Sequence, residues 1–109
     1  MKKREVPAAT QRRFEEIAEG LTGRGVSPSQ MFGMPCLKVG GKAFAGVYGG
    51  SLVFKLTGDE HAAALNLKGA ELFDPSGMGR AMKEWVVVPS AHAKRWGVFA
   101  EAARAYVSN

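Results

Sequence analysis

Four residues of this 109-residue chain carry side chains suited to nucleophilic or general acid–base work: Cys36, His61, His92 and Asp74. A thiol becomes a working nucleophile only beside a base, and the base in turn needs an orienting group. Here the residue types are present without an arrangement. Cys36 stands in an alternating run, and each histidine falls in the first turn of a different expected helix, so no local signature joins them. One cysteine and two distant histidines also fall short of a zinc set, which takes three or four ligands at defined spacing. No catalytic residue, metal or cofactor is assigned, and the chain reads as a non-enzyme rather than an enzyme.

Glycine-rich segments raise a second chemistry. Gly40-Gly41, Gly49-Gly50 and Gly77-Met78-Gly79-Arg80 invite a phosphate-loop reading, but none has the strand, glycine loop and helix context of a nucleotide site. They read as turns. Arg80 keeps an alternative open, because glycine amides left free beside a guanidinium can hold an anion. A stand-alone anion-binding or small-ligand protein, or an enzyme, built on the Gly79-Arg80 loop is therefore the second functional reading.

Fifteen Lys and Arg face ten Asp and Glu, for a net charge of +5. Five of the cations, Lys2, Lys3, Arg4, Arg12 and Arg13, lie in the first 13 residues beside the single acid Glu5. The remainder is nearly neutral. Any DNA contact is thus expected to be weak and to come from this stretch, with residues 1–8 forming a flexible basic tail. A lone cysteine cannot form an internal disulfide, and no apolar run is long enough to span a bilayer. A cytoplasmic protein with no membrane contact is expected.

The elements that position these residues follow from periodicity. Phe14, Ile17, Ala18 and Leu21 recur at i, i+3, i+4 and i+7, which predicts a helix from Ala9 to Leu21 with Thr10 as N-cap. Gly20, Gly23 and Gly25 end it ahead of a Ser27-Pro28-Ser29 loop. Period-two alternation around Leu37 and Val39, and again at Leu52, Phe54 and Leu56, predicts strands, joined through Ala43–Tyr48 by two Gly-Gly turns. Thr57-Gly58-Asp59-Glu60 matches a capping box and starts a short helix that stops near Gly69. Glu71-Leu72-Phe73 and Trp85-Val86-Val87-Val88 predict two more strands. Ser90 caps a last helix in which Trp96, Phe99, Ala100, Ala103 and Val107 recur at helical spacing. The outcome is one α+β domain over residues 1–109, an antiparallel sheet of about five strands with three helices in the order α-β-β-β-α-β-β-α.

If Leu37, Phe54 and Val86 face the helices, then Lys38, Lys55, Trp85 and Val87 face away. That second face is either an interface, for a homodimer or a protein partner, or is covered by helix residues or the Asp74–Gly79 loop so that Trp85 becomes core. Met31-Phe32 poses the same choice between an apolar lead into the sheet and an exposed partner site.

The segments Met31-Phe32-Gly33, Val39-Gly40-Gly41-Lys42-Ala43-Phe44-Ala45, Leu52-Val53-Phe54-Lys55-Leu56 and Gly79-Arg80-Ala81-Met82 through Trp85 to Val88-Pro89 occur in an order that resembles the N-terminal domain of the TfoX/Sxy family, related to the MmcQ/YjbR-like proteins. The resemblance implies a small α+β domain found in bacterial regulators of competence and in short uncharacterised proteins. It transfers no catalytic residue. Family members continue into a second, helical domain, and after their Met-Phe-Gly they carry another glycine and an aromatic where this chain has Met34-Pro35-Cys36. The function implied is a regulatory interaction module acting through protein partners or weak DNA contact, with Met31, Phe32, Lys38, Lys55, Arg80 and Trp85 as candidate interaction residues.

Overall fold

The computed structural model describes residues 5–75, 77–79 and 81–108. It is an α+β fold: α1 (Ala8–Leu21), β1 (Val26–Met31), β2 (Met34–Val39), β3 (Lys42–Tyr48), β4 (Ser51–Lys55), α2 (Gly58–Leu65), β5 (Glu71–Phe73), β6 (Met82–Pro89) and α3 (Trp96–Ser108). The six strands form one antiparallel sheet in the order β1-β2-β3-β4-β6-β5. No helix among the described residues is long and apolar enough to cross a membrane.

The sixth strand corrects the expected count of five, and it runs through Ser27-Pro28-Ser29, read from sequence as a loop. β1 lies at the sheet edge, where a missing donor is tolerated. Its two-residue turn pairs Met31 with Met34, so Ser29 and Ser27 bond to β2 while Pro28 and Gln30 face the open edge. Pro28 thus interrupts the one row of backbone groups that another strand could use.

All three expected caps are corrected. α1 begins two residues before Thr10, because Pro7 and the helix-favouring Ala8-Ala9 start it and the Pro7 carbonyl accepts the Gln11 amide at 3.0 Å. Thr10 is buried inside the first turn. α2 does begin after Thr57, but no side-chain cap bond forms. Ser90 opens a 3-10 turn, Ser90–Arg95, ahead of α3. That turn is broken at His92, whose Nε2 is bonded to the Lys68 carbonyl at 2.9 Å.

Helical stripes and one face of the sheet make the larger core. Phe14, Ile17 and Leu21 of α1 and all five expected α3 residues are buried against Leu37, Phe54, Val86 and Val88. Trp96 donates its Nε1–H to the Val88 carbonyl at 3.1 Å, so its polar atom is satisfied inside the core. A β-bulge assists: Leu37 opposes Ala45 and Lys38 opposes Ala43, which leaves Phe44 unpaired and turned into the core beside Ala45.

The opposite face carries a second core of Met34, Val53, Phe73, Trp85 and Val87, with Met31, Ala43, Tyr48 and Met82 packed around it. Phe73 of β5 stacks edge-on to Tyr48 of β3 at 5.1 Å, although β4 and β6 lie between those strands. Such a contact requires the sheet to coil until this face is concave. A register shift between Leu72 and Phe73 sits where that turn is made.

Two predictions follow from this packing. Trp85→Ala should destabilise the protein by about 3–5 kcal/mol in urea unfolding, the usual cost of truncating a buried tryptophan, whereas Lys55→Ala should stay within about 0.5 kcal/mol. The second concerns the ion pairs that tie the short 3-10 turn after α1 (Thr22–Arg24) to α3. Glu101 accepts from Arg104 and from Arg24, each at 2.6 Å, and the Arg104 hydrogen bond, reinforced by both positive charges, holds its carboxyl below the usual glutamate range. A lowered carboxylate contributes stability above its unfolded pKa and loses it as pH falls through the folded value. The thermal-stability gap between wild type and Glu101→Gln should therefore be small but present at pH 7, vanish on acidification and shrink in 1 M salt.

Candidate interaction surface

The residues that sequence reading gathered into one exposed patch do not form an open one in the structure. Trp85 is only 6% exposed and belongs to the second core, so it offers no open face to a partner. Lys55 opposes Trp85 in the β4–β6 register, yet its Nζ lies 3.8 Å from the Glu84 carboxylate. It lines a shallow depression with Lys42, Tyr106 and Val107. The flexible four-carbon stem allows this turn away from the expected face. Lys38 is half-buried on β2 beside Cys36. Lys55 and Trp85 are thus neighbours in register without making an open cation–aromatic patch.

The polar group around Glu84 has a structural use. Its carboxylate accepts from the Tyr106 hydroxyl, which raises the Tyr106 pKa, and it pairs with Lys55. The cluster ties the last turn of α3 to β6 and places two lysines near a helix C-terminus, where positive charge is favourable.

The anion reading of the Gly79 loop meets a specific obstacle. The amides of Gly77 and Gly79 donate to Asp74 Oδ1 and Oδ2 at 3.0 and 2.8 Å, so the donors a ligand would need are already taken by the chain's own carboxylate. Arg80 lies outside the described residues, as do Lys2, Lys3 and Arg4. Arg12 is exposed. Arg13 lies 3.4 Å from Glu16 and packs over Gly97 of α3, which engages its guanidinium within the fold.

The nucleophile candidates are equally separate. Cys36 is 1% exposed, and burial pushes its thiol pKa up, with Lys38 opposing the shift only in part. A raised, buried thiol is a poor nucleophile. His61 and His92 each place Nε2 against a backbone carbonyl, of Lys83 at 2.8 Å and of Lys68 at 2.9 Å. A carbonyl can only accept, so the bond assigns the proton to Nε2 in both rings. His61 fastens α2 to β6, and His92 fastens the 3-10 turn to the turn that follows α2. Among the described residues no group of three His, Cys, Asp or Glu side chains could hold a metal.

What remains is Met31-Phe32, and here the structure adds what the sequence did not supply. Phe32 and Gly33 form the two-residue turn between β1 and β2, with φ of 52° and 74°. Two consecutive positive φ values belong to the hairpin turn that favours Asn-Gly or Gly-Gly, and Gly40-Gly41, at 57° and 79°, meets the same demand conventionally. Phe32 is the one described non-glycine residue with positive φ, a conformation that costs a bulky L-residue about 1–2 kcal/mol. Its ring is 62% exposed and rests edge-on against Phe73 at 6.3 Å. Met31 and Met34 flank it, and both methyl groups lie over Gly46, where an added Cβ would stand 3.2–3.3 Å from them and require them to give way. Phe73, the seat of this ring, and Tyr48, which packs against Phe73, went unrecognised in the sequence. Reading Met31-Phe32-Gly33-Met34 as a two-residue hairpin turn with a misplaced aromatic would have found the tip, though not what lies beneath it.

If the fold does not need this ring, Phe32→Asn should shift stability by no more than about 1 kcal/mol. Relief of the left-handed strain then offsets the lost edge contact, worth about 0.5–1.5 kcal/mol. Phe73→Ala, fully buried beneath it, should cost about 3–5 kcal/mol in the same urea titration. A loss above about 2 kcal/mol for Phe32→Asn would make Phe32 a structural residue.

No family model, curated protein or solved structure matches this chain.

Proposed function

We propose that this chain is a non-enzymatic interaction module, of the kind its resemblance to the TfoX N-terminal domain implies, and that it acts in regulation by presenting the Phe32 hairpin tip to a protein partner. One observation carries the reading: a large aromatic ring is held in solvent by a backbone conformation that costs it free energy. Asparagine or glycine would serve the turn better, and an inward-pointing residue would serve the core better. Both disadvantages are reversed once a partner covers the ring, because aromatic anchors supply much of the binding energy at interfaces. Strain held at one exposed position also favours a functional origin over a packing one. Weak DNA contact is the lesser reading, since Arg13 of the basic stretch is engaged with Glu16 and α3.

The test is site-specific photo-crosslinking in the native host. A benzophenone side chain in place of Phe32 should yield a discrete adduct with another protein. The same group at Glu60, an exposed residue in the first turn of α2, should not. Absence of an adduct at position 32, or the same adducts from both positions, would overturn the reading.

A further inference from the structure

The helix-covered side of the molecule carries a concentration of charge that the Phe32 reading does not use. Lys94 and Arg95 stand exposed on the 3-10 turn before α3. The His92 bond to the Lys68 carbonyl, at 2.9 Å, pins that turn and places the exposed residue Lys68 beside it. Just past the turn, the Arg13 guanidinium lies over Gly97, 3.4 Å from where a Cβ would stand, so the first half of α1, with exposed Arg12, meets the same corner. Three stretches distant in sequence thus place Arg12, Arg13, Lys68, Lys94 and Arg95 on one surface. Whole-chain charge counting could not show it, because the residues after the basic start are nearly neutral when taken together.

Pairing leaves most of this charge available. Among the described residues the one ion pair in the group joins Arg13 to Glu16, and Arg12, Lys68, Lys94 and Arg95 are paired with no acid. Lys42 and Lys83 are also exposed and unpaired, but they lie at the far end of the sheet. Pro89 at the end of β6 leads into the 3-10 turn, and Lys83 stands near the start of that strand, about 20 Å back. Lys42 opens β3, whose other end, Tyr48, pairs with Ser51 and through it with Pro89.

Three polyanions could meet four such cations, and the surroundings favour one. An anionic membrane contributes about 1 kcal/mol per nearby cation, so four give only a millimolar Kd unless an apolar group inserts. Val98, 68% exposed one helical turn past Arg95, is a slight anchor for that. Single-stranded nucleic acid is held largely by bases stacking on open aromatics, and Trp96, the ring beside the patch, is 1% exposed and committed to the core. Duplex DNA presents one charge per about 1.7 Å of its axis on a stiff frame. Cations on elements fixed by the His92 bond and the Arg13–Gly97 packing keep a set spacing against such an array.

We infer that the surface formed by Arg12, Lys68, Lys94 and Arg95 binds the phosphate backbone of duplex DNA without reading its sequence. It goes beyond the Phe32 tip, which belongs to the opposite face of the sheet, and it stands or falls independently of it. The body of the domain, and not its basic start alone, makes the contact.

Fluorescence anisotropy of a labelled mixed-sequence DNA duplex, titrated with the full chain between about 50 and 200 mM salt, tests this. Each phosphate contact adds about 0.9 to the slope of log affinity against log salt, so Lys94→Gln/Arg95→Gln should flatten that slope by about 1.8 and weaken binding at least fivefold at the lowest salt. The pair Lys42→Gln/Lys83→Gln, which removes the same charge at the far end, should alter the slope by less than about 0.5. Phe32→Asn should leave it unchanged, and thermal unfolding confirms that each variant is folded. No binding by wild type, or an unaltered slope in Lys94→Gln/Arg95→Gln, would overturn the inference, the second result in favour of the basic start. An equal loss from the Lys42/Lys83 pair would reduce the effect to net charge and overturn it too. Tighter binding through Lys94 and Arg95 to a single-stranded oligonucleotide, to polyglutamate or to phosphatidylserine vesicles than to the duplex would overturn it in favour of that polyanion.

Discussion

The contact between Phe73 and Tyr48 is the constraint on which the rest of the architecture depends. Six strands in 109 residues expose two faces, and three short helices cover only one of them. A flat sheet would leave Val53, Trp85 and Val87 in water, an apolar area too large for a small monomer. Coiling lets the sheet cover its own second face. At about 25 cal/mol per Å², burial of side chains as large as Phe73 and Trp85 supplies several kcal/mol, comparable to much of the net stability of a domain this size. The irregularities at Phe44 and at Phe73 follow from that demand, since a bulge bends a strand where a regular ladder cannot.

The same coiling explains why a strained residue sits where it does. Bringing β5 over the concave face carries Phe73 beneath the β1–β2 turn, so that the turn residue at position 32 finds an aromatic edge to rest on. The hairpin thereby gains a tip that is exposed yet held in place. A ring on a free loop would lose rotamer entropy on binding, whereas one already set against Phe73 and fixed in a tight turn has less to lose. Structural closure and the proposed docking function thus draw on one residue, Phe73, which the fold buries completely.

Much of the scaffold was legible from periodicity. The stripes of α1 and α3 and the Gly-Gly turns were readable because each depends on residues close in sequence, and all five α3 positions are buried as expected. β1 was missed because Ser-Pro-Ser carries loop chemistry, and only its place at the edge makes that composition compatible with a strand. The turn before α3 escaped for a related reason: His92 has its partner distant in sequence, at the Lys68 carbonyl, which local rules do not see. For the candidate site, Phe32 was visible as a type and its setting was not. The alternation correctly put Trp85 on the face away from the helices, but whether that face is open or closed is decided by coiling, which no strand encodes alone. Of the two fates open to Trp85, burial is the one realised.

The account stands on the sheet closing under Phe32, and ring-to-ring nuclear Overhauser effects measure that directly. A sample with labelled aromatic rings should show contacts from Phe73 to both Tyr48 and Phe32, together with the strong intraresidue amide-to-α-proton signal of a left-handed residue at Phe32. A Phe73 ring without either contact, or a Phe32 backbone in the extended range, would mean that the sheet does not close and that the exposed ring is neither strained nor seated.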